Sequence, residues 1–160
     1  MRHTQRGSLS VEYLFYISFS LIILVFVIST SLNVLSDYRL AKDVNHTVQE
    51  IRHNSALHYS TQVLQSRCLP QTTLTMASIE TPSDDGLATY EVRYIQRAQP
   101  KSAPSGIEIT ATLHDASIME RVARFLSPTQ QNDTSFIFHF PLNNQLHDWQ
   151  ELDVTTGCIK

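Results

Sequence analysis

The stretch QRGSLSVEYLFYISFSLIILVFVIS, residues 5–29, decides the fold of the N-terminal part of the chain. No Asp, Glu, Lys or Arg occurs from Tyr13 to Ser36, and Ile, Leu, Val and Phe dominate this run. The run is longer than the ~20 helical residues that cross the hydrocarbon core of a bilayer. It therefore predicts a membrane-spanning helix, and the acidic Glu12 directly before it needs a separate explanation.

The residues around the apolar run predict its orientation. Arg2, His3 and Arg6 precede the run, and basic residues next to a span favour a cytoplasmic N-terminus. A secretory signal peptide is the alternative, but its apolar region is about half this length and ends in small residues. Ser29 and Ser31 make a poor cleavage site of that kind, so a retained anchor is favoured.

The length and net charge of the chain limit how many domains it can form and which partners it can bind. The 160 residues allow one modest domain in addition to the anchor, and the net charge of −3 provides no overall basic surface. Nucleic acid is therefore an unlikely partner unless Arg93, Arg97 and Lys101 form a local basic patch.

The helical pattern continues beyond the apolar run. Small and apolar residues recur at spacings of three and four, which is typical of an amphipathic helix: Ala41, Val44, Val48, Ile51, Ser55 and His58. Neither Gly nor Pro occurs between Ser8 and Arg67. Because Pro70 disfavours helix at Leu69, we expect the helix to end near Cys68.

The sequence after the helix predicts a small antiparallel sheet. Residues 88–96, 106–114 and 134–140 alternate apolar and polar, and 147–154 is a candidate fourth strand. Ser117 and Glu120 have capping-box spacing and predict a short helix buried through Ile118, Val122, Phe125 and Leu126. The predicted fold class is α+β: a long N-terminal helix, whose first half is transmembrane, packed on a small antiparallel sheet with one extra short helix.

Both cysteines, Cys68 and Cys158, lie in the part predicted to be exported. Periplasm and cell surfaces are oxidising, so we expect one disulfide between them. The alternative is two unrelated buried thiols.

The first residues of the anchor resemble a known processing signal. RGSLSVEYLF, residues 6–15, resembles the class III signal of type IV pilins and pilin-like proteins: a short basic leader that ends in Gly, with Glu at the fifth mature position. The resemblance implies that a prepilin peptidase cuts after Gly7, that Ser8 becomes the new N-terminus, and that Glu12 is the fifth mature residue. It also implies N-methylation of that terminus.

The resemblance supplies a role for Glu12. In a bundle of packed anchors, Glu12 of one subunit would pair with the Ser8 amine of its neighbour, because unpaired charges are costly in an apolar environment. The expected partners are the peptidase, other pilin subunits, the inner-membrane assembly machinery and, before assembly, membrane lipid. The expected location is the inner membrane, with the C-terminal domain periplasmic or extracellular, and then the pilus.

The chain also departs from major pilins, and the departures narrow the expectation. Major pilins typically begin the mature chain with Phe and carry a proline in the anchor, whereas this chain has Ser8 and no such proline. A minor pilin or pseudopilin is therefore expected, with a leader at 1–7, an anchor at 8–36, an amphipathic helix half at 37–68 and an exported domain at 69–160. The alternative is an uncleaved bitopic assembly scaffold, since the strand–helix–strand pattern in residues 106–140 is similar to a ferredoxin-like domain.

No pattern of catalytic residues supports an enzyme. The seven histidines have no metal-ligand spacing, and no phosphate-binding loop or nucleophile elbow occurs. His114, Asp115 and Ser117 lie at a predicted strand-to-helix junction, where Asp and Ser serve as helix caps. We therefore expect no catalytic residue, no metal site and no cofactor.

Overall fold

A computed structural model describes residues 5–98, 101–142 and 152–159, with side chains from Val11 onward. Helix α1 runs from Gln5 to Ser66. The chain divides into two compact units, Met1–Arg39 and Leu40–Lys160. The first unit is the N-terminal part of α1, and the second contains the rest of α1 and every strand described below.

Helix α1 ends two residues before the predicted position. Arg67 adopts a left-handed conformation with φ of 53°, which cannot continue a right-handed helix. Its N–H still donates to the carbonyl of Val63 at 2.8 Å. The Ser66 hydroxyl then accepts from the N–H of Cys68 at 3.2 Å, so local hydrogen bonds replace the lost helical ones.

The amphipathic stripe of the second helix half is confirmed. Its buried members share one helix face and join the core of the second unit: Ala41, Val44, Val48, Ile51 and Ser55. His58 is only half-buried, and the adjacent Tyr59 is buried instead, with 4 % of its surface exposed. Tyr59 lies four residues after Ser55 and so continues the same helix face, where its ring packs edge-on against Tyr94, with ring centroids 5.8 Å apart.

Four antiparallel strands form the main sheet, in the order β1-β2-β4-β3. Their bounds are Ala88–Ile95 for β1, Gly106–Leu113 for β2, Gln130–Gln131 for β3 and Ser135–Pro141 for β4. The three long strands agree with the predicted ones within two residues at each end. The sequence did not predict β3, whose two residues are too few to show alternation.

Alternation along the three long strands buries one face of the sheet. Tyr90, Val92 and Tyr94 on β1 and Phe136 and Phe138 on β4 are buried. The same cluster includes the alternating residues of β2 and the buried stripe of α1. The α+β class is thus confirmed, with a helix covering one face of an antiparallel sheet.

The short helix after β2 differs from its prediction. A 3₁₀ turn, Ala116–Ile118, leads into helix α2, Met119–Ala123. The cap is Asp115, whose carboxylate accepts the N–H of Ser117 at 2.8 Å, so Ser117 does not cap a longer helix. Val122 and Leu126 are buried as expected, whereas Phe125 is 41 % exposed because the helix ends before it.

The segment from β2 to β4 is not a ferredoxin-like unit. Strands β2 and β4 are antiparallel neighbours, whereas a split βαβ unit joins parallel strands. Strands β5, Leu152–Asp153, and β6, Cys158–Ile159, form a separate two-stranded ribbon. Most of the predicted fourth strand, with His147 and Trp149, lies outside the described residues.

A carboxylate in the loop before β1 links that loop to α1. Asp85 accepts the hydroxyls of Tyr90 at 2.8 Å and Thr47 at 3.2 Å, and the N–H groups of Leu87 and Ala88 at 2.9 Å. Burial acts to raise the pKa of Asp85, but these hydrogen bonds stabilise the charged form and hold the pKa below its usual value. Burial, followed by the hydrogen bond to this carboxylate, raises the pKa of Tyr90.

Candidate functional site: an exposed apolar helix segment and a disulfide

The N-terminal part of α1 exposes an unusually apolar surface. We define the apolar segment as residues 11–36, in which every side chain is exposed. By length and composition, the helix from Val11 onward is long and apolar enough to cross a membrane. A monomeric soluble protein rarely leaves so large a continuous apolar surface in contact with water. This surface therefore requires lipid, another protein chain or both.

Glu12 lies among aromatic side chains at the start of the apolar segment. Phe15, Tyr16 and Phe19 lie beside it on the same helix face, because they follow it by three, four and seven residues. Among the described side chains, which begin at Val11, no cation pairs with Glu12. A charged side chain at the centre of a membrane helix costs about 2.5 to 3.5 kcal/mol, so a partner or a hydrated boundary is required.

Three consecutive hydroxyl residues interrupt the apolar segment without leaving free donors. Ser29 donates to the carbonyl of Val25 at 2.8 Å, and Ser31 donates to that of Val27 at the same distance. Thr30 donates to Phe26 at 3.1 Å. Because the helix itself satisfies these hydroxyls, the residues can enter an apolar phase at little cost.

Gly7 and Ser8, the predicted cleavage pair, lie within the bounds of α1, one turn before Glu12. Their side chains are outside the described part of the structure. Cleavage after Gly7 and pairing of the Ser8 amine with Glu12 of a neighbouring subunit both stay predictions.

The disulfide between Cys68 and Cys158 is confirmed. Their Cα atoms are 3.9 Å apart, and the two residues pair as an isolated antiparallel bridge. Backbone hydrogen bonds flank the bridge on both sides: Leu69 N–H donates to Gly157 at 2.9 Å, and Ile159 N–H donates to Arg67 at 2.7 Å. The end of α1 is thus attached to the C-terminal ribbon by one covalent and two hydrogen bonds.

The junction after β2 is organised by helix capping and a contact between a histidine and a carboxylate. His114 Nε2 lies 3.1 Å from the Asp84 carboxylate, while Asp115 caps the following turn. Hydrogen bonds from Ser117 hold the pKa of Asp115 below its usual value. The described part of the chain contains no group of three His, Cys, Asp or Glu side chains placed to hold a metal ion.

A row of polar residues, Arg93, Glu108 and His139, crosses the outer face of the sheet and was missed in the sequence. The register places Arg93, Glu108 and His139 side by side on β1, β2 and β4. Arg93 contacts Glu108 at 2.6 Å, and His139 Nε2 lies 3.0 Å from the other carboxylate oxygen. The alternation of each strand placed these residues outward, but only the register brings them together. His139 is half-buried there, as expected for a residue on the wet face.

No family model matches this chain, and no curated protein and no solved structure matches it significantly.

Proposed function

We propose that the protein is a membrane-anchored structural subunit, a minor pilin or pseudopilin of a type IV pilus or type II secretion-like filament. The observation that carries the proposal is the fully exposed apolar segment of α1 with Glu12 on its first turn. The resemblance of residues 6–15 to a prepilin signal adds the processing step, cleavage after Gly7.

An apolar helix segment of this kind can occupy two environments, a lipid bilayer or a bundle of equivalent helices. In a bilayer, the segment satisfies its backbone internally and its hydroxyls through i−4 carbonyls. In a bundle of equivalent helices, the same side chains pack against each other, so the subunit can leave the lipid without exposing them to water. A subunit stored in a membrane and then packed into a filament needs both properties.

Glu12 gives this packing a register. Cleavage after Gly7 would free a charged amine at Ser8, and that amine could neutralise Glu12 of an adjacent helix. Any other stagger would leave the carboxylate without a cation among the apolar side chains of the packed helices. Removing one partner from a buried charge pair is strongly unfavourable, so the correct stagger would be selected.

The test is the intact mass of the protein purified from its native membrane. We expect the wild-type chain to lack residues 1–7 and to carry a methyl-sized increment on Ser8. The variant Gly7→Ala should retain the leader, and the matched control Ser10→Ala should be processed like the wild type. A wild-type chain that keeps residues 1–7 contradicts the proposal.

The second candidate is the uncleaved bitopic scaffold of the same class of machine. It shares the anchor, so the apolar segment supports it as well, but the antiparallel pairing of β2 with β4 removes the ferredoxin-like domain on which this alternative was based. The two candidates differ at Glu12. If Glu12 pairs with a processed neighbour, Glu12→Ala should abolish cross-linking between subunits in the membrane, whereas a permanent scaffold should tolerate that substitution.

A further inference from the structure

The apolar segment separates its residue types around the helix axis. Its phenylalanines lie within about 40° of each other on one face, the phenylalanine face: Phe15, Phe19 and Phe26. Its leucines lie within about 80° on the opposite side, the leucine face: Leu14, Leu21, Leu24, Leu32 and Leu35. All of these side chains are exposed, so nothing in the described part of the chain covers either face.

The two faces also differ in polarity. Glu12 and Asn33, the only charged side chain and the only amide side chain of the apolar segment, both lie on the phenylalanine face. The leucine face contains, besides its leucines, only the aliphatic Ile17 and Ile28. A single helix surrounded by lipid meets the same environment on every side. Two chemically different faces therefore indicate that one of them packs against protein.

The polar side chains identify the phenylalanine face as the one that packs against protein. Acidic residues in membrane helices almost always face other helices or water, whereas leucines gain little by leaving lipid for another apolar surface. Asn33 is exposed, and its amide has no hydrogen-bond partner among the described residues. Ser29 and Ser31 differ, because their hydroxyls bond to their own helix. The Asn33 amide is thus available to a second helix.

A second copy of the same helix, shifted by one turn along the axis, matches the phenylalanine face. A shift of four residues places Ser8 of one copy level with Glu12 of its neighbour, which is the charge pair of the proposed function. The same shift places Phe15 of the first copy level with Phe19 of the second, so aromatic rings meet between the polar ends.

The one-turn shift also pairs two polar residues at the far end of the face. Asp37 follows Asn33 by four residues, so the Asn33 amide of one copy is level with the Asp37 carboxylate of its neighbour and can donate to it. Asn33 lies about 32 Å along the helix from Glu12, close to the thickness of the hydrocarbon core. In a bilayer both ends reach hydrated boundaries, and in a bundle that excludes water both ends keep polar partners.

We propose that a second copy of this chain binds the phenylalanine face with a stagger of one helical turn, and that Asn33 donates to Asp37 of the neighbouring copy. This arrangement rests on the proposed function, in which copies pack through α1, but the phenylalanine face and the Asn33 contact do not require cleavage. A single buried asparagine fixes the register of paired helices in coiled coils, and Asn33 acts in the same way here. The leucine face remains in contact with lipid.

The test is disulfide cross-linking of the full-length protein in its native membrane. Two differently tagged copies are expressed together, one with Ile22→Cys and the other with Phe26→Cys, which the stagger places level on the phenylalanine face. Both native cysteines form the disulfide described above, so each copy carries one free thiol. The matched control is Leu24→Cys with Ile28→Cys, which has the same four-residue spacing on the leucine face.

We expect the mixed dimer of the Ile22→Cys and Phe26→Cys copies to exceed both the dimer of two Ile22→Cys copies and the dimer of the leucine-face control. Adding Asn33→Leu to both copies should lower the mixed dimer about threefold, the effect of a typical hydrogen bond between membrane helices. Adding Ser31→Ala should leave it unchanged, because the Ser31 hydroxyl bonds to its own helix. Membrane fractionation and circular dichroism check that every variant is inserted and folded.

Three results would overturn the proposal: equal or stronger cross-linking on the leucine face, a dimer of two Ile22→Cys copies as abundant as the mixed dimer, or a cross-link to a different protein in place of the second copy. The leader is measured by intact mass in the same samples. A cleaved leader without preference for the phenylalanine face contradicts the one-turn packing alone. A retained leader with that preference intact contradicts the proposed function alone and supports the packing of copies through this face.

Discussion

Removing the disulfide should destabilise the second unit by an amount that the loop length sets. Cys68 and Cys158 are separated by 90 positions, and a loop of that size corresponds to about 4.5 kcal/mol of unfolded-state entropy at 25 °C in the chain-entropy model. We expect the two backbone hydrogen bonds that flank the disulfide to remain in the folded protein when the disulfide is removed. We therefore expect the double variant Cys68→Ala/Cys158→Ala to keep its native structure and lose stability.

The assay is urea unfolding of the full-length protein in nonionic detergent, followed by circular dichroism. With a slope of about 2 kcal/mol per M of urea, the midpoint should fall by about 2 M. Near-ultraviolet spectra of the folded wild type and variant should coincide, because the tyrosine packing is retained. Reductant should destabilise the wild type by the same amount and leave the variant unchanged. A loss below about 1 kcal/mol, or an altered folded spectrum, would refute the reasoning.

Further predictions concern buried hydroxyls, glycines and titration. Tyr90→Phe should lower the free energy of unfolding by about 1 to 2 kcal/mol, because the Tyr90 hydroxyl donates to Asp85. Tyr94→Phe should leave it unchanged or raise it, since the buried Tyr94 hydroxyl has no hydrogen-bond partner among the described residues. Equal losses for the two variants in urea titrations would contradict this prediction. Gly157→Ala should lower the melting temperature far more than Gly86→Ala. Both glycines have positive φ, but only a Cβ at residue 157 would meet packed atoms, those of Lys101 and Pro70. Similar shifts for the two variants would count against that packing. Burial raises the pKa of Tyr94 to about 12, whereas the unfolded chain ionises near pH 10, so the free energy of unfolding should be unaffected by this group below about pH 10 and fall as the pH rises towards 12. A flat free energy of unfolding over that range would exclude it. The lowered pKa of Asp85 implies that its contribution to the free energy of unfolding is present above about pH 4 and is lost on acidification. Asp85→Asn should therefore show a smaller loss of stability in acid when unfolding is measured against pH. An unchanged loss in acid would contradict this prediction.

Local periodicity predicted the main elements well because each repeats a simple pattern. The stripe from Ala41 to Ser55 follows the 3.6-residue period of a helix, and the alternation through Tyr90, Val92 and Tyr94 follows the two-residue period of a strand. Both patterns arise because one face of each element is buried, so they can be recognised without knowing the surface against which that face packs.

Short or competing signals were predicted poorly. Asp115 and Ser117 are both good cap residues, and only the backbone path after β2 decided that Asp115 takes the role. Phe125 fits the apolar pattern of a longer helix, but α2 ends at Ala123 and leaves it 41 % exposed.

The sequence by itself determined the apolar segment, its acidic residue at the boundary and the presence of a helix-covered sheet, because these depend on composition and local period. The tertiary structure decided which distant residues meet: Arg93 with Glu108 and His139, Asp85 with Thr47, and Tyr59 with Tyr94. These contacts depend on strand register and on where the C-terminal ribbon docks. Neither is encoded in a short window of sequence, because both arise from packing between segments far apart in the chain.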